Sequence, residues 1–116
     1  MTAVSIYHNP RCSKSRQTLQ LLQERGIKPG IILYLENAPD KQTITSLLAK
    51  LGLTAQQLLR KGEAEYKELK LNNENLSEDD LITAMTQHPR LIERPIVLAN
   101  GKAAIGRPPE NVLEIL

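Results

Sequence analysis

IYHNPRCSKSRQTLQLL, residues 6–22, runs from an apolar segment of strand length through Asn9-Pro10 into a helical pattern that Gly26 closes. The strand predicted on its N-terminal side is Val4–His8. On its C-terminal side Gly30–Glu36, GIILYLE, is a second strand-length run rich in β-branched residues. Strand, helix and strand in that order predict a right-handed parallel βαβ unit.

Residues 40–51 place Ile44, Leu47, Leu48 and Leu51 on one helical face, entered by Asp40 and ended at Gly52. Thr54 is a candidate N-cap for a short helix reaching Gly62, which puts Arg60 near a helix C-terminus. Residues 63–76 are polar and poorly periodic and read as a loop or frayed turn carrying Tyr66 and Leu69. Ser77 with Asp80 resembles a capping box opening a helix through Leu81, Ile82 and Met85, stopped before Pro89. Asn100-Gly101 between two apolar runs is a tight-hairpin signal, and RPPENVLEIL then predicts a closing helix. The order βαβ, helices, ββα fits an α/β, thioredoxin-like architecture with a helical insertion between its halves. In that fold the position of Arg94-Pro95, ahead of the third strand, is where a cis-proline is expected.

At 116 residues the chain is expected to be one domain, residues 1–116, burying roughly two-thirds of its unfolded surface. No run approaches the roughly 18 apolar residues of a membrane span, and the N-terminus lacks a basic region followed by an apolar one. A cytoplasmic protein with no membrane partner is expected. Net charge is +2, cations and anions are interspersed, and Phe and Trp are absent, which argues against a nucleic-acid surface. No metal-ligand cluster is evident. Without a coiled-coil pattern, a monomer is the simpler expectation.

The chain has a single cysteine, so any disulfide chemistry at Cys12 needs a second thiol from outside. Cys12 sits at the predicted start of a helix, where unpaired amide N–H groups favour negative charge, and Arg11, Lys14 and Arg16 lie close in sequence. Its neighbours, Asn9-Pro10-Arg11 and Ser13-Lys14-Ser15, are loop and cap residues that bury poorly, which favours a reactive thiol over a core one. Ser15 stands where a Cys-x-x-Cys motif has its second cysteine, which excludes a dithiol cycle. Thr18 stands where a low-molecular-weight phosphatase loop has its arginine. A helix N-terminus remains a ready anion site, with Arg60, Arg94 and Arg107 at element boundaries as candidate oxyanion ligands.

YHNPRCSKSR, IILYLE, LLRKG, HPRLIERPIV and GRPPENVLEIL together resemble the glutaredoxin-dependent arsenate reductase family, ArsC, from Ile6 to Leu116. The resemblance implies a catalytic cysteine at Cys12 and substrate-binding arginines at Arg60, Arg94 and Arg107. It implies that Cys12 forms a covalent adduct with arsenate, that glutathione attacks it as cosubstrate, and that glutaredoxin supplies the remaining thiol. No bound cofactor is implied. His8 resembles a family histidine that helps to activate the cysteine, the alternative being an exposed histidine at a strand end; His88 is expected to interact with terminal helix carbonyls. Where arsenate reductases carry Gly-Thr after the cysteine, this chain has Ser13-Lys14. Two other readings stay open: a glutathione-linked thiol oxidoreductase of Cys-x-x-Ser type, and a Spx-like partner of RNA polymerase.

Overall fold

The computed structural model describes residues 3–116. The chain falls into two compact units, one comprising the described residues up to Asn37 with Arg94–Leu116, the other Ala38–Glu93.

The first unit holds a four-stranded sheet in the order β2-β1-β3-β4, formed by β1 (Val4–Tyr7), β2 (Gly30–Ile32), β3 (Ile96–Ala99) and β4 (Lys102–Ile105). β1 pairs in parallel with β2 and antiparallel with β3, and β3 pairs antiparallel with β4. Helix α1 (Ser13–Glu24) joins the two parallel strands. Gly26 turns the chain out of it at φ +77, a conformation open to glycine without steric cost. Asn100 and Gly101, both at positive φ, make the two-residue turn between β3 and β4, pairing Ala99 with Lys102. Val4, Ile6, Val97 and Ala99 from the sheet pack with Leu22 of α1 and with Val112 and Ile115. Leu22, Ile6 and Val112 are fully buried, each contributing about 2 kcal/mol by removal from water.

The second unit is helical. α2 (Lys41–Leu51) is capped by Asp40, whose side chain accepts the Thr43 N–H at 2.8 Å, and ends at Gly52 in the left-handed conformation. Thr54 and Ser77 each form a reciprocal capping box, opening α3 (Ala55–Leu58) and α5 (Glu78–Gln87). α5 packs against α2 and α3 through Leu81, Ile82 and Met85. The order of elements is thioredoxin-like, with the helical segment between the βαβ and ββ halves.

Four expectations are corrected. The second strand stops at Ile32, because Leu33 accepts the N–H groups of Glu36 and Asn37 and turns the chain away, burying Tyr34 and leaving Leu35 outside. The helix begun at Thr54 ends at Leu58 and does not reach Gly62. Leu59 bridges to Ile92 instead, while Arg60 donates to the Leu91 carbonyl at 2.7 Å and Glu93 to that of Leu58 at 3.0 Å, so extended pairing replaces the last helical turn. Residues 63–76 include a short helix, α4 (Ala64–Glu68). The closing segment, Pro109–Ile115, is a 3-10 helix. Arg94-Pro95 is cis, and so is Arg107-Pro108, which the sequence had not suggested.

Candidate active site

Cys12 is the N-cap of α1 in an extended conformation, so its carbonyl accepts the first helical bond, from Arg16 N–H at 3.0 Å. Its side chain does not cap the helix. The first-turn amides, which find no partner within a helix, therefore start at the residues that follow the thiol, and no acidic side chain stands in that turn. Contrary to the expectation of poor burial, Cys12 is only 8% exposed. The loop is folded inward by its own bonds: Cys12 N–H donates to the Asn9 carbonyl and Arg11 N–H to the Asn9 side-chain oxygen, each at 3.0 Å.

Arg107 reaches this thiol from the far end of the sequence. Its Nη2 lies 3.5 Å from Cys12 Sγ, and its Nε donates to the Arg94 carbonyl at 2.7 Å. The second bond fixes the guanidinium plane, so the contact to sulfur is made by an oriented group. Gly106, next to Arg107, lets the chain approach α1 and the cis-proline: an added Cβ would meet the Thr18 hydroxyl and lie 2.8 Å from Pro95 Cγ. Thr18 is itself fully buried, donating to the Lys14 carbonyl at 2.8 Å.

His8 is buried at the end of β1, which removes the alternative of an exposed histidine. Its Nδ1 lies 2.6 Å from the hydroxyl of Ser15, which is fully buried and also accepts the Asn9 N–H at 3.0 Å. Burial, and secondarily the charge of Arg16, hold the imidazole below its ordinary pKa. A neutral ring bonded through Nδ1 to the Ser15 hydroxyl accords with both facts. Ser15 thus couples strand, loop and helix, a role the sequence did not signal: the residue stood out only as a missing cysteine.

Arg60 belongs to the second unit, where its guanidinium pairs with Glu63 and, through Nε at 3.5 Å, with Glu93. Glu63 also holds Arg90 at 3.3 Å. His88 caps α5 with its backbone N–H on the Ala84 carbonyl at 2.8 Å. Among the described residues there is no cluster of three metal-ligating side chains, and no helix is long and apolar enough to cross a membrane.

The profile of the ArsC family matches residues 7–115. The chain is 51% identical to the arsenate reductase of Neisseria meningitidis, with all of both chains covered. It is 59% identical to the uncharacterized protein YfgD of Escherichia coli K12, over 97% of this chain and 96% of that one. A solved structure, the arsenate reductase from Vibrio cholerae, superposes with a TM-score of 0.97 at 53% identity, covering 99% and 98% of the two chains. A βαβ…ββ scaffold that puts a cysteine at its first helix cap, and sequence identity sustained across nearly the whole length, lead to one assignment: the chain belongs to the ArsC family.

Proposed function

We propose that this protein reduces arsenate to arsenite, with Cys12 as the nucleophile. The observation that carries the reading is the oriented Arg107 guanidinium at 3.5 Å from Sγ, on a thiol at a helix N-terminus. A cation there stabilises the oxyanion charge once arsenate arrives. Curated relatives named arsenate reductase, at 51% and 50% identity, support the choice of substrate.

The thiolate attacks arsenic, a sulfur–arsenic bond forms and one arsenic oxygen leaves as water, arsenic remaining at +5. Two electrons then come from thiols: arsenic acid and two thiols give arsenous acid, one disulfide and one water. The chain's one cysteine cannot supply both sulfurs; in the reading that the family resemblance implies, glutathione attacks the adduct and glutaredoxin provides the remaining thiol, leaving as their mixed disulfide. Arg107 and Arg94 bind the oxyanion from the first unit, and Arg60 is the third arginine of this reading. His8 acts through Ser15 as a neutral positioning residue.

The test is arsenate-dependent NADPH consumption in the presence of glutathione, glutaredoxin and glutathione reductase. Native protein should turn over, and Cys12→Ser should not. A native protein with a titratable thiol and no turnover would overturn the proposal. Reduction of a glutathionylated peptide would then favour the Cys-x-x-Ser reading, and retention of RNA polymerase subunits the regulatory one.

A further inference from the structure

We infer that the cleft beside the thiol loop is the docking site for the reducing thiol, and that it is built for a small zwitterionic peptide, glutathione. The inference rests on the arsenate reductase reading for the task of that thiol. Because Cys12 is the only cysteine, the sulfur that closes the cycle must come from outside and must be held next to it.

The cleft, about 300 Å³, is lined by His8, Asn9, Pro10 and Arg11 from the thiol loop and its strand and by Leu33, Leu35 and Glu36 from the turn after β2. That is the lower end of the roughly 300–1,000 Å³ range of small-molecule pockets, a size for a tripeptide. Both walls are fixed by hydrogen bonds of their own backbone N–H groups. Asn9 accepts the N–H groups of Arg11 and Cys12 and donates its own to Ser15, so the first wall is tied to the reactive residue that follows it in the chain. The Leu33 carbonyl ties down the second by accepting from Glu36 at 3.0 Å and Asn37 at 2.9 Å.

The charges complete the match. Arg11 and Glu36 are exposed, and among the described residues neither side chain enters an ion pair. One uncommitted cation and one uncommitted anion face a ligand with two carboxylates and one ammonium. Arg11 takes a carboxylate through paired hydrogen bonds and Glu36 takes the γ-glutamyl ammonium. Pro10, Leu33 and Leu35 cover the methylenes between them; Leu35, at 39%, is among the large apolar side chains left exposed. A second cleft along α1 sets Glu24 and Glu110 against the single cation Lys14 and would repel a ligand of net negative charge.

The experiment uses Cys12→Ser protein and S-methylglutathione, so that neither sulfur reacts and no arsenate is needed. In an amide NMR titration, saturable shifts should centre on residues 9–12 and 33–37. Arg11→Ala and Glu36→Gln should each weaken binding about fivefold, the size of one exposed charged contact. The analogue lacking the α-ammonium should bind Cys12→Ser about fivefold more weakly than S-methylglutathione and be indifferent to Glu36→Gln. Shifts centred on Lys14, Gln17 and Glu110, no saturable binding, or equal affinity for the analogue would each overturn the inference. Absence of arsenate turnover would leave this titration intact, while turnover without binding at this cleft would sink the docking site alone.

Discussion

Replacing Ser15 with alanine probes the thiol loop through one atom. The hydroxyl is fully buried and serves His8 Nδ1 at 2.6 Å and the Asn9 N–H at 3.0 Å. Alanine fills nearly the same space, so the loss is polar and not steric. Each bond contributes about 1 kcal/mol net, and a ring nitrogen left buried without a partner adds part of its desolvation cost, giving a loss of roughly 2–3 kcal/mol. In a chain of this size that lowers the thermal midpoint by roughly 8–12 °C. The assay is urea unfolding followed by circular dichroism for native protein, Ser15→Ala, His8→Asn and the double variant. The cycle should return about 1 kcal/mol of coupling between residues 8 and 15. Alkylation of Cys12 by iodoacetamide should also accelerate in Ser15→Ala, since the Asn9 anchor that folds the loop inward is released. A Ser15→Ala protein within about 0.5 kcal/mol of native, or strictly additive single variants, would refute this account of the loop.

Three further outcomes are expected. His8 is held below its ordinary value of 6.5 by burial first and by Arg16 second, so the folded state binds fewer protons than the unfolded one. Its contribution is complete above the unfolded value and is lost as the pH falls through the lowered folded one; urea midpoints from about pH 8 to pH 5 should drop more steeply in native protein than in His8→Asn. Gly106→Ala should cost roughly 1–3 kcal/mol by driving a methyl into Thr18 and Pro95, and Thr18→Ala in the same chain should recover part of it; no recovery would place the strain elsewhere. Arg107→Lys loses both the bond to the Arg94 carbonyl and the fork facing Cys12, so arsenate turnover should fall about tenfold or more with the unfolding midpoint nearly unchanged. Full activity in Arg107→Lys would remove Arg107 from the oxyanion site.

Local signals were legible wherever local chemistry decides the structure. Asp40, Thr54 and Ser77 are caps because their side chains can reach an amide three residues on, and Asn100-Gly101 turns because both residues tolerate positive φ. The candidate site was legible in part by the same logic: the sequence places Cys12 at the start of a helix, and Cys12 is the N-cap of α1. What escaped the sequence depends on distant partners. Nothing in QQLLRKG announces that Leu59 and Arg60 will pair with Ile92 and Leu91, so helical periodicity carried the expected end to Gly62. Nothing in GIILYLE separates the strand residues from the turn, because Leu33, Tyr34 and Leu35 suit a strand as well as Ile31 and Ile32 do. The burial of Cys12 was missed for a related reason: polar neighbours were read as exposed, whereas Asn9 and Ser15 spend their polar atoms on folding the loop shut.

The contact between Arg107 and Cys12 spans 95 positions. β1, immediately before the thiol loop, has β2 within reach almost at once, but its other neighbour is β3, made more than eighty residues later. At roughly 5–20 residues per second, the thiol emerges from the ribosome about 5–20 s ahead of the guanidinium that will face it. Through that interval the nascent chain carries a nucleophile on an unfinished sheet with no Arg107 beside it. The surroundings of this thiol are therefore completed last: neither the guanidinium nor the second neighbour of β1 exists until the C-terminal strands have been made.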